Sequence, residues 1–527
     1  MKMVIDIMKL KYSTIIIFLL LAVFCANAVC AVSDDNNTME LKGNDIISAD
    51  NNQLSINHES SVLSVSQDEI ILQNSENAFL SVDSGVSSSS SQSPLKKFTD
   101  DLKSGSKNVY LTGDIKVSTP FVIKHDVVIN GQGHSIDGQK KSLIFKVSGH
   151  SLTLKNIVIK NGKNDKGGAI SAANSNLNLQ NCIFTDNEGT QNGGAVYLYK
   201  GNLKVDKCTF KNNLAHLRAG AIFTSFAKVT ITDSIFSGNK IVNSDKNGYG
   251  GAIWMNKGSS SISNSVFKKN KCISKALKSH KKATQFQFSA GAIYYNSDAS
   301  HSLTGCTFEG NVASSAGGAV YGYKCNSLTI NKCVFKKNSV TFEDGGAICF
   351  TGKKLVMKKS KFNYNHAYED GGVMDSFSLD KNKVCVTISG CEFKGNNVYK
   401  GAGVIWLGLK TKYTIKNSKF INNKAGMGGV FYSQDCKSVI TNCLFQGNVA
   451  KKVASWTVTK KDGGVLKHLG GAIMLEKKSM KIVKCVFKKN RATAGGAIFK
   501  HSGSLKVIKT KFSGNKVKAG KKNIHNR

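Results

Sequence analysis

Four residues, Gly167-Gly168-Ala169-Ile170, return with small changes twelve times, the last as Gly495-Gly496-Ala497-Ile498. Between copies stands Phe-x-x-Asn, first as Phe184 to Asn187 and last as Phe512 to Asn515, again twelve times. The commonest step between equivalent glycines is about 26 residues. A unit of that length must stack on its neighbours to bury an apolar face. Within one unit, Leu177, Leu179, Cys182 and Phe184 are separated by polar residues, which is strand periodicity. The alternation changes phase between Leu179 and Cys182, so a unit is several short strands joined by corners. Equivalent strands of successive units then pair in parallel ladders about 4.8 Å apart. The expected fold is all-β, a single-stranded parallel β-helix with one coil per repeat.

The columns agree with that reading. Phe184, Phe210, Phe236 and their successors should form an unbroken inward stack of rings. Asn187, Asn213, Asn239 and theirs should link amides along the stack and so satisfy a polar corner that faces inward. Gly-Gly marks a corner needing positive φ or close backbone approach. Two prolines in 527 residues fit continuous pairing, since proline cannot donate to a ladder. Seven of fourteen cysteines, among them Cys182, Cys208, Cys306 and Cys333, stand two residues before the column phenylalanine, where other coils hold Ser234, Ser265 or Thr510. That interchange asks for a small inward side chain and predicts mostly free thiols rather than bridges. No Cys-x-x-Cys or paired-histidine spacing offers a zinc site.

Outside the repeats the material changes. Residues 1–31 read as a signal peptide, with Lys9 and Lys11 before the apolar run Ile15 to Phe24 and Ala26-Asn27-Ala28 behind it. An uncut membrane anchor is the alternative. Residues 32–93 read as a disordered, acidic, serine-rich stalk: from 33 to 95 ten acidic residues face Lys42 alone, and Ser87 to Ser91 is a serine run. The chain carries a net +39, and the part from Lys96 onward +46. Such a body attracts polyanions, whether acidic polysaccharide, cell-wall polymer, nucleic acid or the stalk itself. Lysines that merely keep strand faces soluble are the plainer account. Whether that N-terminal segment is cut or kept, it should place the repeats outside the cytoplasm, secreted or at the cell surface, and no second apolar run of spanning length follows.

Residues 94–166 open the body. Ser93-Pro94 with Leu95, Phe98 and Leu102 predicts a short N-terminal capping helix over the exposed end of the first coil. The short strands from Val109 to Ile159, including Val127 to Asp137 and Leu152 to Ile159, resemble the first coils of pectate-lyase-like right-handed β-helices. From Gly167, the GGA[IV] and Phe-x-x-Asn phrases of residues 167–516 resemble the polymorphic outer-membrane-protein repeat. Bacterial autotransporter adhesins and adhesin-like surface proteins of methanogenic archaea share that repeat. The resemblance implies a right-handed, surface-displayed or secreted β-helix with an adhesive role. Autotransporters end in a membrane β-barrel, whereas residues 517–527 read as a basic tail, so the archaeal proteins are the nearer likeness.

Three features are candidates for chemistry. The residue after GGA[IV] is Tyr197, Phe223, Trp254, Tyr294, Tyr321, Trp406, Tyr432 or Phe499 in eight coils. With Ile170, Val196 and Ile222 inward, alternation turns these rings outward, where they could grip sugar beside lysines; reversed corner geometry would make them core. Glu343-Asp344 and Glu369-Asp370 lie one step apart and should stack, open to salt bridges with lysine, a calcium ion as the one cofactor, or paired-acid hydrolysis. Insertions at Lys271 to Ser289 and Val449 to Leu469 should project from one edge, rich in lysine with an aromatic (Phe286, Phe288, Trp456); such loops often carry binding, with Trp456 the candidate residue, and mere tolerated extension is the alternative. His134 and Asp137 fit a turn. No hydrolase elbow, zinc-protease or phosphate-loop motif occurs, and no catalytic residue is assigned.

The expected function is a non-catalytic adhesin-like protein that contacts glycans or acidic polymers of its own or another cell's surface through a basic flank, with no specific nucleic acid. A polysaccharide lyase or hydrolase on the same scaffold and a structural envelope component are the alternatives.

Overall fold

The computed structural model describes residues 92–243, 247–274, 287–377, 384–408, 410–451, 458–459, 465–466, 469–518 and 522–526. The signal peptide, the stalk up to residue 91, Phe286 and Trp456 lie outside them. The unit Val82–Arg527 contains a right-handed parallel β-helix of three long sheets. The first carries the residues after GGA[IV]: Ile170–Gln180 pairs with Val196–Asp206, and that strand with Ile222–Thr232, in parallel and residue for residue. The second, fifteen strands from Ile115–Lys116 to Lys511–Ser513, carries the column phenylalanines. Three leading coils therefore precede the twelve repeats. The third has thirteen strands, from Lys163–Lys166 to Lys516–Val517.

The C-terminal segment departs from the expected tail. Val517 belongs to the third sheet, and Ile524–Asn526 pairs with Ile498–Lys500. Residues 522–526 thus begin another coil, because Asn523 offers its carbonyl to the Ala497 and Ile498 amides as each earlier corner does. In the second insertion, Val458–Thr459 and Val465–Leu466 pair antiparallel.

Parallel stacking puts identical side chains at identical places. Phe184 and Phe210 stack with centroids 4.8 Å apart and planes 4° off parallel, and Phe445 and Phe487 at 4.5 Å and 1°. The asparagine ladder uses every polar atom. Asn213 donates through Nδ2 to Asn239 Oδ1 at 2.9 Å and to the Phe184 carbonyl at 2.9 Å, while its Oδ1 accepts from the Asn187 backbone and Nδ2. Asn187, Asn213 and Asn239 are all 0 % exposed, so that satisfaction is required.

The two glycines of a corner answer two constraints. Gly167 and Gly193 have φ of +74° and +69°, the left-handed region. A Cβ on Gly194 would meet the Gly220 carbonyl oxygen of the next coil at 2.0 Å. At the N-terminal end α1 (Pro94–Lys103) has Ser93 as N-cap and proline in its first turn. Phe98, fully buried, meets Phe121 edge-on at 4.9 Å and closes the first coil.

Candidate functional site

The ring column is built by strand alternation and then covered by the corners. Ile170, Val196, Ile222, Ile253 and Ile293 all join the central core, so the next residue in each coil points out of the tube. Yet Phe223, Trp254 and Tyr294 are only 6 %, 6 % and 7 % exposed. They pack with Ala219, Ala290 and Tyr249, residues just before the corner glycines, and with the half-buried Tyr197 and Tyr321. Tyr197 and Phe223 stack at 4.8 Å, and the Arg218 guanidinium lies 5.2 Å from Trp254. Burial pushes the Tyr294 and Tyr321 hydroxyls up, and Tyr249 up to about 12. Tyr432, Met474 and Phe499 form a second roofed cluster with Trp406 half-buried against it.

The expected outward stripe for sugar is therefore corrected. These rings lie outside the tube but under a roof, because the corner chain passes over them; a Cβ on Gly193 would approach Phe223 Cβ to 3.2 Å. They form a satellite core.

Cys349 and Asp375 take the ring position in two consecutive coils, paired in register with Tyr321 before and Trp406 after. The acidic pairs flank this break. The Asp370 amide donates to Asp344 Oδ1 at 2.8 Å, whereas Glu369 pairs with Lys400 at 2.7 Å. Lys400 also lies over the Tyr368 ring, which stacks on Tyr399. Burial, and then Asp375, pushes the Cys349 thiol up. Among the described residues no group of three or more His, Cys, Asp or Glu is arranged to hold a metal ion. Asp137 caps a local turn by accepting from the Gln139 amide at 2.8 Å, and His134 lies 3.9 Å from Asp114. The twelve described cysteines are free thiols.

A family profile for the right handed beta helix region matches residues 121–290, 282–426 and 377–526. The chain belongs to the right-handed β-helix family. No curated protein matches it. Among solved structures it is similar to the Streptococcus pneumoniae surface protein and adhesin PfbA, at 13 % identity and a TM-score of 0.33, over 86 % of this chain and 99 % of that one. At that score the likeness carries no argument about function.

Two surfaces of this β-helix expose lysines or aromatic rings. Along the second sheet, Lys211, Lys336, Lys361, Lys394, Lys419 and Lys488 flank the buried phenylalanines, with Glu309 and Glu392 among them. Its corners place Lys207, Lys332, Lys337, Lys359, Lys484 and Lys489 in the left-handed region. On the first sheet Tyr199 and Phe226 are 37 % and 45 % exposed. The sequence reading missed these two rings, because the alternation breaks where the chain bends, just after Tyr199 and at Phe226 itself. Their signal was a ring at a polar position: Tyr199 shares its column with Ser225 and Asn256, and Phe226 shares its with Asn174, Lys200 and Lys257. No helix among the described residues is long and apolar enough to cross a membrane.

Proposed function

We propose that this β-helix is a secreted or surface-displayed, non-catalytic adhesin-like protein that holds acidic surface polymers on the lysine-bearing face of its second sheet. One observation carries the reading: lysine recurs at left-handed corners where asparagine or glycine fits with less strain. In other coils the corner of Lys207, Lys332, Lys359 and Lys484 is Asn181, Asn264, Gly305 or Asn442. A lysine there costs on the order of 1 kcal/mol against glycine, and solubility needs no particular place for its charge. Lysines occupy that corner in consecutive coils at Lys332 and Lys359 and again at Lys484 and Lys509, so positive charge recurs in groups along one face, where a polymer bearing many acids can meet several at once.

The test is retention of the full chain on immobilised acidic and neutral polysaccharides. Retention on the acidic matrix alone, lost with rising salt, is expected. Lys332→Glu, Lys337→Glu, Lys359→Glu and Lys361→Glu together should weaken it about tenfold or more. Equal retention on neutral matrix would sink the reading. New reducing or unsaturated ends in the polymer would favour a lyase or hydrolase instead.

A further inference from the structure

Tyr199 and Phe226 stand in adjacent coils on the open part of the first sheet, beyond the roofed rings. Their centroids are 5.9 Å apart and their planes 79° from parallel. Lys200 Nζ lies 5.5 Å from the Tyr199 centroid and Lys257 Nζ 4.8 Å from that of Phe226. Lys204 and Lys228 are exposed on the same strands, with an exposed amide pair beside them, Asn202 Nδ2 donating to Asn176 Oδ1 at 2.7 Å. None of these four lysines forms an ion pair with a described carboxylate, and Asp206 on the Lys204 strand instead accepts from Thr232 Oγ1.

Phe226 is the residue that stability does not explain. Its φ is +55°, on the bend where other coils carry Asn174, Lys200, Lys257 and Lys324. A bulky side chain is strained in that region, and the exposed ring adds the cost of apolar surface in water. Both costs fall together on one residue. Strain and exposure of this kind concentrate where a ligand is held.

We propose that Tyr199 and Phe226 form a subsite for a pyranose unit of an acid-bearing polysaccharide. The sugar's C–H face lies on the Phe226 ring against the edge of Tyr199. Lys200, Lys204, Lys228 and Lys257 surround it and pair with carboxylate or sulfate groups, and the Asn176 and Asn202 amides bond hydroxyls. Single-stranded nucleic acid is the less suited polyanion, since it stacks successive bases on presented ring faces and these two rings meet edge to face. The inference rests on the acidic-polymer reading above and adds a directional contact that charge alone does not supply.

The full chain is titrated with polygalacturonate, sulfated dextran, neutral dextran, polyglutamate and oligothymidylate. Binding of one or both acidic polysaccharides about tenfold tighter than polyglutamate at equal charge concentration is expected. Tyr199→Ser with Phe226→Asn should remove that preference and leave polyglutamate binding unchanged. Phe226→Asn alone should raise the melting temperature while weakening polysaccharide binding, because asparagine suits the bend. A merely structural ring would instead lower the melting temperature and leave polysaccharide binding unchanged. Unchanged preference in the double variant overturns the subsite, as does a parallel loss of oligothymidylate binding. Failure of the broader reading shows separately, as wild-type protein that does not hold polyglutamate at low salt.

Discussion

At the scale of single residues, the buried polar columns control stability most sharply. Asn311 accepts from the Asn270 backbone and Nδ2 and donates to the Phe267 carbonyl at 2.9 Å and to Asn338 Oδ1 at 2.9 Å. Asn311→Ala leaves several of these groups without partners and should cost about 3 kcal/mol or more. Asn311→Asp should cost more still at neutral pH, since it sets a buried carboxylate against two acceptors; urea midpoints for the two variants decide the order. His301 is a second such residue. It stands in the column of Leu203 and Leu328, stacks on Tyr295 at 4.1 Å and bonds Ser260 Oγ through Nδ1 at 2.9 Å. Burial lowers its pKa to about 4, whereas the unfolded chain titrates near 6.5. As the pH falls the unfolded state is protonated first. The stability is therefore complete above about pH 6.5 and is lost towards pH 4, by on the order of 3 kcal/mol. His301→Leu should flatten that part of the stability–pH curve, and an unchanged slope would count against His301 as its source.

At the scale of elements, a coil end is the vulnerable place, because each coil is stabilised only by its neighbours. The first coil has none below it, and α1 supplies the missing apolar cover through Phe98. Phe98→Ala should cost about 3–5 kcal/mol and expose the leading coils first. Hydrogen exchange in Val109 to Val147 should then rise before exchange in the central coils, and uniform acceleration would contradict the capping role. The helix was legible in Ser93-Pro94 and the spacing of Leu95, Phe98 and Leu102. The roof over Trp254 and Tyr294 was not. Nothing in the local pattern of Arg218, Ala219 or Tyr249 says that the chain turns back across the ring column before entering its corner glycines.

At the scale of the whole body, charge and register act together. The net +46 from Lys96 onward cannot be neutralised from within, even where ion pairs such as Lys336 with Glu309 at 3.2 Å form along the second sheet. Binding to an acidic polymer should consequently weaken steeply between low and physiological salt. The four-lysine reversal should reduce that salt dependence as well as the affinity, and retention measured across a salt series reads both. A variant with weaker binding but unchanged salt slope would place the contact elsewhere.

The repeat by itself determined the hand-to-hand stacking of equivalent strands, the inward phenylalanines and asparagines, and the small side chains before them. A parallel ladder forces residues one period apart to share one environment, so a column in the sequence is a column in space. Which outward rings remain open was decided only by tertiary structure. Tyr197 and Tyr199 are two residues apart on one strand, yet only Tyr199 is exposed. The difference lies in where another stretch of chain, turned by left-handed glycines, comes to rest.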